Sequence, residues 1–375
     1  MPAASILIKP ASSNCNIDCS YCFYKRLCRT RGTISYGRMS DETLEALVGN
    51  ATDYADGLVS FAFQGGEPML AGIGFFRRAA AIQKKYAKKG LVIENTIQTN
   101  GVLIDDQWAR FFAEEDFLVG VSLDGPKKLN DSCRKDLSGA GTFSKVMEGI
   151  DLLSKYNVRT NIATVITQKI SKKASYLYKF YKRNGFEYVQ VIPCMGDTWK
   201  TGGDICAAED QFSVRPESYG AFLCELFDLW YEDFIRGSDM EIRTFSNYAQ
   251  LAAGFAAEEC GMNGQCTCYF VVEADGSVYP CDFYCTDAYR LGSVHEPFSV
   301  LASSARAQEF VRGSGPISED CRTCQYLRLC RGGCRHWREP DSHLNYFCEG
   351  YKAFFSHCVD RIYELGRMIL LNRRR

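Results

Sequence analysis

The run Cys15-Asn16-Ile17-Asp18-Cys19-Ser20-Tyr21-Cys22 decides how this chain is read. It sets three thiols in a CxxxCxxC spacing, with the aromatic Tyr21 before the last and Phe23 and Tyr24 after it. A structural zinc site or a complete cubane cluster takes four protein ligands. A compact run of three leaves one metal position open, and an open position is where chemistry happens. The other reading is a zinc knuckle with a distant fourth ligand. Just upstream, Ser5–Lys9 reads as a strand that runs directly into the cysteine loop.

Outward from that loop, short β-rich runs alternate with helical patterns. Strands are expected at Ser5–Lys9, Leu58–Gln64, Val92–Gln98, Phe117–Leu123, Val158–Ile166 and Glu187–Ile192. Helices are expected near Asp41–Tyr54, Phe75–Lys88, Asp106–Glu114, Thr142–Tyr156 and Lys172–Asn184, with Ser40 and Thr142 as N-caps. Such an alternation packs most economically as parallel strands with right-handed crossovers. Six βα units fall short of a closed eight-fold barrel. The fold class is therefore α/β, a partial (β/α)6 TIM-like barrel over residues 1–236, open on one side, a shape that fits a large peptide substrate. The Cys15 loop, Gly65-Gly66-Glu67-Pro68, Thr99-Asn100-Gly101 and Asp124-Gly125-Pro126 all follow strands and converge on one rim.

After Cys194 the chain is loop-rich to Arg215, and a long helix follows at about Glu217–Arg236. Residues 237–375 change character. From Cys260 to Cys348 the chain is cysteine-dense with little helical periodicity, apart from a hairpin of Tyr269–Glu273 and Ser277–Pro280 around Ala274-Asp275-Gly276. A final helix is expected at Tyr351–Leu371.

Composition narrows the function classes. The chain has 375 residues, 46% of them apolar, and a formal net charge of -1. That charge argues against nucleic-acid binding driven by bulk electrostatics. No apolar run approaches the ~20 residues of a membrane span. The N-terminus lacks the basic and apolar segments of a secretory signal, so the 19 cysteines read as metal ligands in an oxygen-sensitive cytoplasmic protein rather than as disulfides.

Two further features carry chemistry. Paired Gly65 and Gly66 let backbone approach a ligand, and Glu67 with nearby carbonyls suits an ammonium group; the plainer reading is a strand-to-helix turn. In the second half, eight cysteines fall into two interleaved groups. One reads Cys260-x5-Cys266 and then Cys281; the other reads Cys321-x2-Cys324-x5-Cys330-x3-Cys334 and then Cys348. Structural zinc is the alternative there. Asp282 follows Cys281 directly, and a ligand-pinned backbone can aim its carboxylate as a general base. Otherwise it is a solvated carboxylate at a hairpin end.

CxxxCxxC in this aromatic context, followed one βα unit later by GGEP, resembles the radical S-adenosylmethionine (SAM) enzymes. The resemblance implies a four-iron–four-sulfur cluster on Cys15, Cys19 and Cys22, whose open iron chelates SAM and reduces it to a 5′-deoxyadenosyl radical. It assigns Gly65, Gly66 and Glu67 to the SAM amino group, Ser122 to its ribose and Arg134 to its carboxylate, with Tyr21 beside the cluster. On its own, Arg134 reads as a surface charge. The later cysteines resemble the SPASM domain, which implies one auxiliary cluster on Cys260, Cys266, Cys281 and Cys334, and another on Cys321, Cys324, Cys330 and Cys348. The cofactors implied are thus three 4Fe-4S clusters and SAM.

The resemblance narrows further. Leu7-Ile8-Lys9-Pro10-Ala11-Ser12-Ser13, Phe61-Ala62-Phe63-Gln64-Gly65-Gly66-Glu67-Pro68, Leu123-Asp124-Gly125-Pro126, Cys260-Gly261-Met262-Asn263-Gly264 and Pro280-Cys281-Asp282-Phe283-Tyr284 are similar to the anaerobic sulfatase-maturating enzymes, in order along nearly the whole chain. That family oxidises a cysteine or serine in a Cys/Ser-x-Pro/Ala-x-Arg motif of an unfolded sulfatase to Cα-formylglycine. The likeness makes Asp282 the base, sets Tyr24 and Gln64 in the substrate or SAM pocket, and sets Met195 near adenine. It implies a flavodoxin or ferredoxin-type reductant, and nothing suggests a dimer seam, so a monomer is expected. Departures fall in Pro193–Arg215 and in Cys28, Cys133, Cys268 and Cys285. Another SPASM-type peptide modifier, forming thioethers or crosslinks, shares every cluster motif. It is expected to lack the base position and to carry a leader-binding domain, whereas here the first strand begins a few residues into the chain. A non-enzymatic electron carrier has no use for GGEP.

Overall fold

The computed structural model describes residues 3–196 and 211–372. These form two compact units that interleave along the chain: residues 1–123, 130–161 and 267–310 make one, and residues 124–129, 162–266 and 311–375 the other. A boundary at residue 236 divides the chain by sequence character. By packing, the 267–310 segment groups with the N-terminal strands.

The first unit is built on β1 (Ala4–Ile8), β2 (Ile17–Cys19), β3 (Leu58–Phe63), β4 (Val92–Thr99), β5 (Leu118–Ser122) and β6 (Arg134–Asp136). Strands β1, β3, β4 and β5 pair in parallel, in that spatial order. Alternation explains β3: Val59, Phe61 and Phe63 point inward and are fully buried. Phe63 meets Phe76 at 4.9 Å, and Phe76 meets Trp108 at 5.2 Å, so the helices Ile73–Tyr86 and Asp106–Glu114 close over the sheet through rings. Each such buried ring contributes roughly 1.5–3 kcal/mol. Ser40 caps the helix Asp41–Tyr54 as expected, accepting from Thr43 N. Thr142 does not cap the helix Phe143–Lys155. Its backbone is already helical, its hydroxyl donates to Arg134 O at 3.2 Å, and Asp131 takes the Phe143 N–H at 2.9 Å instead.

The second unit carries β7 (Thr160–Ile166), β8 (Tyr188–Pro193) and β9 (Glu241–Ile242), paired in parallel in that order. All six expected barrel strands are therefore present. Helix Pro216–Ile235 starts on its proline, where a missing N–H costs nothing. It packs against the last helix, Cys348–Asn372, closely enough that a Cβ on Gly220 would stand 2.6 Å from Gly350 O. Helix Arg243–Ala252 was not expected, and neither were the short helices Phe298–Ser303, Ala305–Arg312, Glu319–Arg322 and Leu327–Cys330. The last two are single turns that each carry a cysteine, Cys321 and Cys330, and are too short to show a period.

The hairpin forms as β10 (Phe270–Val272) and β11 (Ser277–Tyr279), followed by β12 (Gly292–Ser293). β10 lies parallel to β1, with Ile6 opposite Phe270 and Ile8 opposite Val272. This pairing carries the end of the hairpin to the loop after β1, within one unit. Among the described residues no helix is long and apolar enough to cross a membrane.

Candidate active site

Two strand ends, each an apolar run closed by a charge, define the centre. Lys9 ends the β1 run and Glu273 ends the β10 run, at 2% and 1% exposure. The Lys9 Nζ stands 2.9 Å from Asp282 Oδ1 and 3.6 Å from Glu273 Oε1. Arg31 donates to the same Glu273 oxygen, and Ser12 Oγ donates to Oε2 at 2.9 Å. Two buried cations thus face two buried anions, which is how charge survives out of water. Burial alone would lower the Lys9 pKa, but the carboxylates of Asp282 and Glu273 hold it above the ordinary value.

Asp282 is 6% exposed, so it is not a solvated carboxylate at a hairpin end. Tyr24 OH donates to its Oδ2 at 2.6 Å, and Gln64 Nε2 donates to Tyr24 OH at 2.8 Å. Burial, reinforced by the Asp282 charge, raises the Tyr24 phenol well above its usual range, so it stays a donor at neutral pH. Asp282 N donates to Tyr269 OH at 3.2 Å, and that hydroxyl lies 3.5 Å from Cys281 Sγ. The Lys9 ammonium meets Oδ1 from one side, and a carboxylate oxygen with one such partner keeps a further lone pair.

The turn after β3 is fitted to its neighbours. Gly65 has φ +96, and a Cβ there would stand 2.7 Å from Lys9 Cγ. Gly66 has φ +50, and a Cβ would stand 2.2 Å from Asn14 O, in the cysteine loop. Glu67 is fully buried and holds two loops together: it accepts from Asn100 N at 2.8 Å, Thr99 Oγ1 at 2.8 Å and Met69 N at 3.0 Å. Burial nevertheless pushes its carboxyl up to about 7. Both carboxylate oxygens are engaged from inside, and the Glu67 carbonyl accepts from Leu70 N at 3.1 Å.

Cys15, Cys19 and Cys22 are partly buried in one turn, where Cys22 N donates to Cys19 O at 3.3 Å. Burial raises the Cys15 thiol, and the nearby Glu67 and Cys22 charges add to it. Asn100 Nδ2 stands 3.8 Å from Cys15 Sγ, and Arg134 Nη1 stands 3.8 Å from Cys19 Sγ. N–H donors aimed at sulfur suit thiolate ligands of an iron–sulfur cluster. Arg134 is 6% exposed, so the surface-charge reading fails. It sits opposite Cys19 in the β2–β6 ribbon, with its guanidinium 5.5 Å from the Tyr21 ring. Ser122 ends β5, half-buried, and accepts from Gln98 at 3.1 Å. Met195 follows β8 in the other unit, half-buried; the departing stretch beyond it lies largely outside the described residues.

The second unit holds the cysteines of the two expected groups other than Cys281. Cys321, Cys324, Cys330 and Cys348 line one cavity with Tyr326, Tyr351 and Lys352. A Cβ on Gly261 would stand 3.1 Å from the Cys334 Cβ, so the Cys260 turn lies against Cys334, and the Cys334 thiol feels both Cys260 and Cys266. Burial pushes Cys330 and Cys334 up to about 12, a preference that metal ligation reverses. Among the described residues no three His, Cys, Asp or Glu side chains converge to hold a single metal ion. Cys281, in the first unit, is held beside Asp282 as above. Of the extra thiols, Cys28, Cys133 and Cys285 are buried, and Cys285 packs among Leu7, Leu27, Val271 and Tyr279. Sequence reasoning gave no role to Lys9, Ser12, Arg31 or Glu273. A charge closing an apolar run at Lys9 and Glu273 was the available signal.

The family model of the Radical SAM superfamily matches residues 10–172, and that of the iron-sulfur cluster-binding domain matches residues 260–325. A cysteine-type anaerobic sulfatase-maturating enzyme from Clostridium perfringens is 44% identical over 98% of this chain and 100% of its own length. A serine-type anaerobic sulfatase-maturating enzyme from Bacteroides thetaiotaomicron is 33% identical over 94% of this chain and 88% of its own. The solved structure of native anSMEcpe with bound AdoMet and peptide superimposes with a TM-score of 0.91 at 43% identity, over 98% of this chain and 99% of that one. Full-length identity, both domain matches in order and the superposition agree: the chain belongs to the anaerobic sulfatase-maturating enzymes and is a radical SAM enzyme.

Proposed function

We propose that this enzyme oxidises the cysteine of a Cys-x-Pro/Ala-x-Arg motif in an unfolded sulfatase polypeptide to Cα-formylglycine. The cysteine preference is supported by the higher identity to the cysteine-type relative, 44%, than to the serine-type relative, 33%. Cys15, Cys19 and Cys22 would hold the SAM-binding cluster, Cys260, Cys266, Cys281 and Cys334 one auxiliary cluster, and Cys321, Cys324, Cys330 and Cys348 the other. When bound, these clusters and SAM supply hydrogen-atom abstraction from the target Cβ and removal of one further electron. SAM would be held by the carbonyls of the Gly65–Glu67 turn, by Ser122, Arg134 and Met195, and beside Tyr21.

The observation that carries the reading is the buried Asp282 carboxylate, gripped at Oδ2 by Tyr24 and faced at Oδ1 by Lys9. Its Oδ1 takes the target thiol proton while Tyr24 and Gln64 fix the carboxylate plane. Loss of that proton, a Cβ hydrogen atom and one electron turns CH2–SH into CH=S. Water then releases sulfide and leaves the aldehyde. The expected partners are a flavodoxin or ferredoxin-type reductant in the cytoplasm, with the enzyme monomeric.

The test is an anaerobic assay of iron-reconstituted enzyme with SAM, reductant and two peptides differing only in Cys or Ser at the target. Aldehyde with 5′-deoxyadenosine, faster from the cysteine peptide, is the expected result. Deoxyadenosine with a thioether or crosslinked product would move the enzyme to another class of peptide modifier.

A further inference from the structure

Arg338 is 7% exposed, and among the described residues no carboxylate pairs with it. Its guanidinium donates only to backbone carbonyls. Nη1 reaches Ser314 O at 2.7 Å and Pro316 O at 2.8 Å; Nη2 reaches Gly333 O at 2.9 Å, Gly264 O at 3.3 Å and Arg331 O at 3.5 Å; Nε reaches Gly332 O at 3.1 Å. These carbonyls are not scattered. Gly264 lies in the turn between Cys260 and Cys266, and Gly332 and Gly333 lie between Cys330 and Cys334. Ser314, whose carbonyl Arg338 holds, in turn accepts the Cys266 N–H on its hydroxyl at 2.8 Å.

The turn at Gly332 and Gly333 is built to admit this arrangement. A Cβ on Gly332 would stand 3.2 Å from Arg338 Nη2, and one on Gly333 would stand 2.4 Å from Asn345 Nδ2. The thiols that feel the Arg338 charge are Cys266 and Cys334 of one set and Cys321 and Cys330 of the other. A buried cation normally requires a carboxylate, and carbonyl dipoles alone leave its net charge uncancelled. Among the described residues, the groups set to answer it are thiols of both sets, which carry negative charge once they ligate metal.

We propose that Arg338 is the shared counter-charge of the two auxiliary cluster sites, a positioning residue that holds both reduction potentials up. A fixed positive charge at low dielectric favours the more negative, reduced form of a nearby cluster. The two sites thereby become better acceptors for the electron that leaves the substrate. The inference rests on the auxiliary-cluster reading given under Proposed function.

The test compares the reconstituted parent enzyme with Arg338→Gln and Arg338→Lys by iron and sulfide content and by EPR-monitored redox titration of each cluster. Arg338→Gln is expected to shift both auxiliary potentials to more negative values and to leave the SAM-binding cluster unchanged. Arg338→Lys keeps the charge and is expected to titrate with the parent. Unchanged potentials in Arg338→Gln, or an Arg338→Lys shift as large as that of Arg338→Gln, overturn the proposal. Where Arg338→Gln fails to retain auxiliary iron, Arg338→Lys decides: parent potentials support the counter-charge, and shifted ones overturn it. Loss of auxiliary iron in both variants overturns it too, reducing Arg338 to a scaffold. A parent that itself holds no auxiliary iron is a different failure, of the cluster reading on which the inference stands.

Discussion

Asp282 and Lys9 face each other across 2.9 Å, both buried, and the consequences of altering either differ. Asp282→Asn keeps the shape and removes the proton acceptor. Aldehyde formation should fall on the order of 10²–10⁴-fold, the usual worth of a placed base, while 5′-deoxyadenosine still forms; chromatography of the nucleoside beside peptide mass spectrometry checks this, and full aldehyde yield would rule out an obligatory base. Lys9→Met leaves two carboxylates against Arg31 alone and should cost roughly 3–5 kcal/mol of stability, as breaking a buried pair does, read from urea unfolding. Glu67 gives a pH dependence. Its pKa rises from 4.5 to about 7 on folding, so its stabilising contribution is complete below the lower value and is lost as pH rises through the higher one. The shift is worth roughly 3 kcal/mol at one pKa unit per 1.36 kcal/mol. The stability of the parent relative to Glu67→Gln should therefore decline from pH 5 to pH 8; a constant difference would contradict it.

Among the elements, the turn after β3 is the most constrained. Gly66→Ala would drive a Cβ against Asn14 O at 2.2 Å and Ser12 O at 2.9 Å, both backbone atoms that cannot rotate away. The positive φ adds to this, of order 1–3 kcal/mol. The cysteine loop must then shift, and SAM binding should fall with only a modest loss of helix content, measured by equilibrium dialysis and circular dichroism. Wild-type affinity in Gly66→Ala would show the contact to be slack. These elements also mark what a sequence discloses. Alternation in Leu58–Phe63 and the cap at Ser40 are local patterns, and both are seen where expected. The Thr142 cap failed because Asp131 reached the helix end first, a competition between residues remote in sequence. The Lys9–Asp282 pair was hidden for the same reason: it exists because β10 adds to β1, and nothing in either strand names the other. Arg134 was misjudged as surface because burial of a lone arginine leaves no periodic trace.

For the whole molecule, the cysteines were legible and their surroundings were not. Spacing ran Cys321, Cys324, Cys330, Cys334 and Cys348 together, and the resemblance to the SPASM domain singled out Cys321, Cys324, Cys330 and Cys348, which line one cavity. Spacing gave no hint of the arginine between the groups, or of the charges behind Asp282. A two-electron oxidation needs a cluster to start it and a second redox site to finish it, with a base at the substrate between them. The central claim is that the target Cβ loses a hydrogen atom and the thiol loses its proton to this chain. It is tested most directly by a target peptide carrying Cβ-dideuterated cysteine, turned over anaerobically with SAM. One deuterium in 5′-deoxyadenosine, with formylglycine retaining the other, is the predicted result. Deoxyadenosine free of deuterium alongside an unmodified peptide would contradict the account.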